Sequence, residues 1–228
     1  MSRLMTERPR AKKSLGQHFL IDRNIVGKIA AACALHEGDV VLEIGPGTGA
    51  LTRALAQTGA RVIAVEIDPR LVAILEREKI PRVTIVHGDA LELDLARLAQ
   101  EAGRRLVVAG NLPYNISSPV LFLLLDVCEA WSRAVLMLQR EVAVRLGAPP
   151  GGKDYGVLAA RLGALVAVDA LFDVAPGCFR PPPAVRSRVV RVTPLPVPRI
   201  RAPADAYARV VRAAFGKRRK TLANALRG

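Results

Sequence analysis

Within one tetrapeptide, Asn111-Leu112-Pro113-Tyr114, the sequence carries hydrogen-bond acceptors, a stiff turn and an aromatic ring. The Asn111 side-chain oxygen and the Leu112 carbonyl can each accept one N–H of an amine. Pro113 rigidifies the turn that presents them, and Tyr114 offers a face to a planar ring. These are the groups needed to hold the exocyclic amine of adenine, whose lone pair is delocalised into the ring and is a poor nucleophile. Holding and polarising such an amine matters more than deprotonating it. Fixed acceptors favour the positive charge that develops on nitrogen as it attacks, so the site requires no charged general base.

A second group of residues points to the other reactant. In VLEIGPGTGAL a strand pattern runs into a helix pattern through Gly45, Gly47 and Gly49. Glycines allow the sharp turn and let a ligand approach the main chain, with a helix N-terminus behind it. About twenty residues on, Glu66 ends the next strand pattern, where a carboxylate can accept hydrogen bonds from both hydroxyls of a ribose. The pair indicates a nucleoside-containing cofactor without choosing one: Ala50 also completes a G-x-G-x-x-A match, so a nicotinamide-dependent oxidoreductase fits this segment nearly as well. A glycine turn without a ligand is the simpler alternative. In His87-Gly88-Asp89-Ala90 a third strand pattern delivers Asp89, which can accept from an adenine amino group but has an equally ordinary role as a helix N-cap.

The elements that must position these residues follow an alternating rhythm. Short β-branched runs (VVLEI, RVIAVEI, VTIVHG, RLVVAG) alternate with helix patterns near 48–57, 70–78 and 91–102, as in a parallel α/β sheet. An apolar helix from about Ser118 and a buried strand, AVLMLQ, come next. In such sheets ligands sit at the strand C-terminal ends, where the glycine loop, Glu66, Asp89 and Asn111 all fall. GAPPGGKDYG predicts a mobile surface loop, and the prolines of VTPLPVPRIRAP predict an end to regular structure and a domain boundary. Beyond it, helix patterns over about 205–215 and from Lys220 predict a small basic appendage, dividing the chain into 1–195 and 196–228.

Composition narrows the partners. A hydrophobic content of 51% is enough to bury a core and excludes a disordered chain. Lys and Arg outnumber Asp and Glu by 34 to 20, a formal net charge of +14 that favours a polyanion. Bases cluster at Arg8, Arg10, Lys12 and Lys13 and again at Arg209, Arg212, Lys217, Arg218, Arg219, Lys220 and Arg227. No apolar run approaches the roughly twenty residues that span a bilayer, and the basic N-terminus lacks the apolar block of a secretory signal. A cytoplasmic protein without membrane contact is therefore expected. Cys33, Cys128 and Cys178 show neither disulfide nor zinc spacing, and no metal is expected.

Taken with KKSLGQHFLID, LQREVAVRL, CFRPPPAVRS and FGKRRKTLANAL, these motifs make the chain similar, over nearly its whole length, to the ribosomal RNA adenine N6,N6-dimethyltransferase family. NLPYNISSP and FRPPPAVRS look more like the bacterial small-subunit enzymes than the antibiotic-resistance enzymes of the large subunit. The resemblance implies a class I (Rossmann-like) doubly wound methyltransferase sheet, S-adenosylmethionine as cofactor, small-subunit (16S) rRNA or a pre-assembled small subunit as partner, and a role in ribosome biogenesis; nothing in the sequence requires more than a monomer. It assigns cofactor contacts to His18, Leu20, Gly45, Gly47, Glu66, Ile67, Asp89, Ala90 and Asn111. Many relatives carry Asn at the His18 position, which points to a backbone contact there. Asn111, Leu112, Pro113 and Tyr114 become the catalytic segment, with Tyr114 and Phe179 stacking on a flipped adenine. Phe179 also reads as a core residue. Gln17 and Phe19 are expected to help close the N-terminal segment over the cofactor, and Lys12, Lys13, Arg218, Arg219 and Lys220 to contact RNA. Family members continue past KRRKTLANAL, so the appendage is expected to be partial. An oxidoreductase leaves NLPY and the charge without a role. A non-catalytic RNA-binding assembly factor explains the charge, but not the intact Asn111, Pro113 and Tyr114.

Overall fold

A computed structural model describes residues 9–217 and 221–226; Arg218, Arg219, Lys220 and the side chain of Lys13 lie outside the described residues. In chain order the elements are β1 (Phe19–Leu20), α1 (Arg23–Ala32), β2 (Val40–Ile44), α2 (Ala50–Ala56), β3 (Arg61–Glu66), α3 (Pro69–Glu78), β4 (Val83–His87), α4 (Leu95–Ala102), β5 (Leu106–Asn111), α5 (Ser117–Asp126) and β6 (Trp131–Gln139). They continue with α6 (Arg140–Leu146), α7 (Val157–Leu165), β7 (Val166–Val174), β8 (Phe179–Arg180), β9 (Ser187–Pro194), α8 (Ala204–Gly216) and α9 (Leu222–Leu226).

Seven strands form one sheet in the order β4-β3-β2-β5-β6-β9-β7. β2 to β6 are mutually parallel, and β9 runs antiparallel to both β6 and β7. Every residue of β2, Val40 to Ile44, is buried, as expected of a central parallel strand covered on both faces. The strand order reverses between β2 and β5, which opens a crevice at their C-terminal ends. The glycine loop after β2 and the Asn111–Tyr114 segment at the end of β5 flank that crevice.

Helix boundaries follow their caps. Asp22, Asp68 and Asp94 each accept a backbone N–H at the start of α1, α3 and α4. The helix pattern over 91–102 divides in two: a 3₁₀ turn, Ala90–Glu92, is capped by Asp89, and α4 begins only after the second cap at Asp94. α5, SSPVLFLLLD, is apolar nearly all round and buries Val120, Leu121, Leu124 and Leu125 in the core beneath the sheet.

The largest departure from the sequence expectation lies after β6. VTPLPVPRIRAP begins inside a strand, because β9 runs on to Pro194 opposite Val166, and regular structure is absent only over 195–203. Proline tolerates this place because a terminal strand position can do without its N–H. Helix α8 covers the expected 205–215 pattern and rests on α7, with Tyr207 Oη donating to the Ala160 carbonyl at 3.1 Å and Val211 buried. The small pair β1 and β8 joins Phe19 to Arg180 and Leu20 to Phe179, antiparallel, across the mouth of the crevice.

Candidate active site

The crevice is a cavity of about 220 Å³ whose wall brings together His18, Leu20, Gly45, Gly47, Glu66, Ile67, Asp89, Ala90, Asn111, Leu112, Pro113, Tyr114 and Phe179. Residues from six separate segments of the sequence thus meet in one place, as the fold requires when strand ends converge.

The cofactor half is built largely from backbone. Gly45, Gly47 and Gly49 take φ values of 68°, 59° and 78°, in the left-handed region that favours glycine. At Gly49 space is also closed, because a Cβ there would stand 2.5 Å from Leu75 Cδ2 on α3. Glu66, at the end of β3, is buried, and the loops on either side hold it: Oε2 accepts the Gly47 N–H and Oε1 the Asp68 N–H, both at 3.0 Å. Each oxygen keeps a lone pair, so the carboxylate can still accept from a pair of hydroxyls. Burial raises its pKa above the usual carboxylate value, while the two backbone donors oppose that rise. Asp89 takes the capping role, its Oδ1 accepting the Leu91 N–H at 2.9 Å at the following 3₁₀ turn, and it also lines the cavity. Ile67 is 47% exposed at this wall, an apolar surface suited to the face of a heterocycle.

One wall residue escaped the sequence reading. Glu43 lies inside β2 and is 1% exposed, with Oε2 lacking a hydrogen-bond partner among the described residues. Desolvation pushes it up to about 7, the nearby Thr52 hydroxyl pulling the other way and the charge of Glu66 adding to the rise. A buried carboxylate short of a partner beside a ligand cavity is suited to a cationic ligand group. Its only sequence signal was a charged residue in the middle of a strand otherwise built for full burial.

The other half depends on side chains. Asn111 Nδ2 donates to the His18 carbonyl at 3.0 Å. A carbonyl only accepts, so this bond fixes which end of the amide is which and leaves Oδ1 as the acceptor at the cavity wall. The Leu112 N–H donates to the Met137 carbonyl at 3.2 Å, while its own carbonyl receives no hydrogen bond from the described residues. Pro113 turns the chain, its carbonyl accepting from the Ile116 N–H at 3.1 Å and from Ser117 Oγ at 3.2 Å. Tyr114 is half-buried, its hydroxyl 3.2 Å from Ser187 Oγ, and burial raises its pKa. The His18 ring packs against it, centroids 5.6 Å apart and tilted by 30°, and His18 Nδ1 lies 2.8 Å from the Pro181 carbonyl, so Nδ1 carries the proton of that bond.

Phe179 sits between the cavity and the core. It lines the cavity, yet it is 3% exposed and belongs to the core around Leu20 and Val189. Lys12 is not a free cation: its Nζ lies 3.4 Å from Asp68 Oδ1, while Gln17 donates to Asp68 Oδ2 at 3.1 Å. Lys13 begins a 3₁₀ turn, Lys13–Leu15, next to that ion pair. Arg218, Arg219 and Lys220 fall outside the described residues. No cluster of metal-ligating side chains occurs among the described residues.

A glycine loop and an acidic strand end at the switch point, on a seven-stranded sheet with one reversed strand, define a class I S-adenosylmethionine-dependent methyltransferase. Residues 8–228 match the model of the family described as ribosomal RNA adenine dimethylase. The ribosomal RNA small subunit methyltransferase A of Geobacter metallireducens is 50% identical over 222 residues, which cover 96% of this chain and 81% of that protein. The crystal structure of a dimethyladenosine transferase from Plasmodium falciparum superposes with a TM-score of 0.78 at 31% identity, over 92% of this chain and 75% of that one. The 23S rRNA methyltransferase ErmE superposes with a TM-score of 0.72 at 28% identity, over 91% of this chain and 83% of that one. The chain belongs to the ribosomal RNA adenine dimethylase family, and it is an rRNA adenine methyltransferase with S-adenosylmethionine as its cofactor.

Proposed function

We propose that this protein dimethylates adenosines of bacterial small-subunit rRNA at N6, working as a monomer in the cytoplasm on the RNA or on a pre-assembled small subunit. The observation that carries this reading is the orientation of Asn111. With Nδ2 committed to His18, Oδ1 and the Leu112 carbonyl form a fixed pair of acceptors for an amine, beside the ring of Tyr114.

The cavity residues fit the cofactor, because the wall offers a carboxylate for hydroxyls at Glu66, an unpartnered buried carboxylate for a cation at Glu43 and a glycine loop open to close approach. Gly45 and Gly47 give the cofactor backbone to lie against, with His18 and Leu20 on the N-terminal side. Glu66 takes the ribose, while Ile67, Asp89 and Ala90 take the adenine. S-adenosylmethionine, when bound, supplies a methyl group on a positively charged sulfur. Asn111 and Leu112 hold the two N–H groups of the target amine and favour the positive charge growing on its nitrogen. Pro113 keeps those acceptors from turning away, and Tyr114, with Phe179 behind it, replaces the stacking that the base loses on leaving the RNA. Once the methylated nitrogen has released a proton to solvent, one N–H remains, which either acceptor can hold, so the same pair serves a second transfer.

Residues 196–228 act in this reading as a basic appendage to the 1–195 catalytic unit. Arg218, Arg219 and Lys220 of the appendage and Lys13 of the N-terminal segment contact phosphates, and Lys12 does so only in part because Asp68 shares its charge. No helix among the described residues is long and apolar enough to cross a membrane.

The test is to incubate the protein with methyl-labelled S-adenosylmethionine and undermethylated small ribosomal subunits, then identify the modified nucleosides by mass spectrometry. N6,N6-dimethyladenosine is the expected product. Monomethyladenosine alone would remove the second transfer, product on large-subunit RNA would reassign the substrate, and cofactor binding without product would make this an RNA-binding assembly factor.

A further inference from the structure

Asp68 does more than its position explains. As the N-cap of α3 it needs one oxygen, and Oδ1 accepts the Arg70 N–H at 3.2 Å. Yet the residue has no solvent exposure, and its second oxygen accepts from Gln17 Nε2 at 3.1 Å and from Arg70 Nη2 at 2.6 Å. Gln17 is tied back in turn, its Oε1 accepting the Lys12 N–H at 2.8 Å. The residues that follow Gln17 form the lip of the cavity. His18 presents the carbonyl that orients Asn111, and the Phe19 ring covers Gly47 so closely that a Cβ there would come within 3.1 Å of it. From its main chain, Asp68 also donates to Glu66 Oε1.

We propose that Asp68 is a positioning residue: one buried carboxylate latches the N-terminal segment over the cavity through Gln17, and so couples the setting of Glu66 to the setting of Asn111. The reading of those two residues as the ribose and amine contacts rests on the function proposed above. The hydrogen bonds from Arg70, then those from Gln17 and Lys12, hold the Asp68 carboxyl well below the usual carboxylate range against its burial, so the latch stays charged through neutral pH. Its spread across the sequence is large, 51 residues from Gln17 to Asp68 and 93 from His18 to Asn111.

Two variants separate the latch from the cap. Asp68→Ser keeps a capping oxygen for α3 and removes the second one. Gln17→Leu cuts the other end and leaves the cap untouched. Calorimetry with S-adenosylmethionine, amide hydrogen exchange over residues 14–20, and kcat and KM on the RNA are measured for each. Both variants are expected to weaken cofactor binding about tenfold, the scale of one hydrogen bond to a charged group. They should also speed exchange in the segment and lower kcat at saturating cofactor, and the double variant should be no worse than either alone, as for two ends of one contact. If both variants keep wild-type affinity and exchange within about twofold, Asp68 is only a cap and the inference fails. If Asp68→Ser does not fold, Gln17→Leu decides by the same readouts. If the unaltered protein methylates no adenine, the proposed reaction fails instead, while the binding and exchange measurements still judge the latch.

Discussion

The two walls of the cavity are held in place by different means. On the β2–β4 side the geometry is local and set by the main chain: a glycine turn, strand ends fixed in a parallel sheet, and a carboxylate held between two backbone N–H groups. On the β5 side each functional group takes its orientation from a residue far away in sequence, Asn111 from His18 and Tyr114 from Ser187. Backbone in a central sheet is the most rigid part of a fold, whereas a side chain set by one distant hydrogen bond moves when that partner moves. The cofactor wall is therefore largely pre-formed. The amine wall is conditional on the N-terminal segment and on β9.

Substituting one residue on each side tests whether the two walls act separately. Asn111→Ala should lower kcat about 10²- to 10³-fold, the usual loss when a preorganised electrostatic partner is removed, with RNA affinity in a filter assay nearly unchanged. A parallel loss of RNA binding would reject the role given to Asn111. Glu66→Ala should instead weaken the cofactor by about one to two orders of magnitude in calorimetry and leave kcat at saturation much less affected. If it lowers kcat as Asn111→Ala does, the two walls are not separable.

A smaller effect sharpens the cofactor side. Glu43 is held at about 7 in the protein alone. A cationic ligand group favours its charged form, so below that value binding must first remove a proton, and affinity falls as pH falls. Cofactor Kd should rise roughly five- to tenfold from about pH 8 to about pH 6, and Glu43→Gln should flatten the profile. The raised Glu66 carboxyl acts with the same sign. A pH-independent Kd in the unaltered protein would separate Glu43 from the cationic end of the cofactor. The smallest expected change is Tyr114→Phe. It keeps the ring and removes the bond to Ser187, worth about 1 kcal/mol, so kcat should fall only a few-fold. A loss as large as that of Asn111→Ala would mean that the hydroxyl itself touches the substrate.

The asymmetry between the walls also explains what could be read from sequence. The strand and helix rhythm from residue 40 to 139, the glycine loop, Glu66, Asp89 and the Asn111–Tyr114 segment were legible, because hydrophobic periodicity and turn chemistry are local properties. The antiparallel partners β7 and β9 were not, nor were α1, α6 and α7. The end of β9, Val192 to Pro194, falls inside a stretch whose prolines read as a break, and only pairing with β6 and β7 makes it strand. Glu43 is not legible in the sequence, because a charge inside a buried strand has no local signature of function. The pairing of Lys12 with Asp68 has no local signature, because nothing near Lys12 in the sequence announces a partner 56 residues on.

The sequence by itself thus determined the class of sheet, the residue types of both walls and the kind of reactants they suit, since these follow from patterns that repeat within a few residues. Only the tertiary structure decided which end of the Asn111 amide faces the cavity, what Tyr114 leans on and that a buried Asp68 fastens the N-terminal segment. Each of these rests on one or two hydrogen bonds or ring contacts between residues more than fifty positions apart, and such partners are chosen by how the whole chain packs rather than by any local pattern.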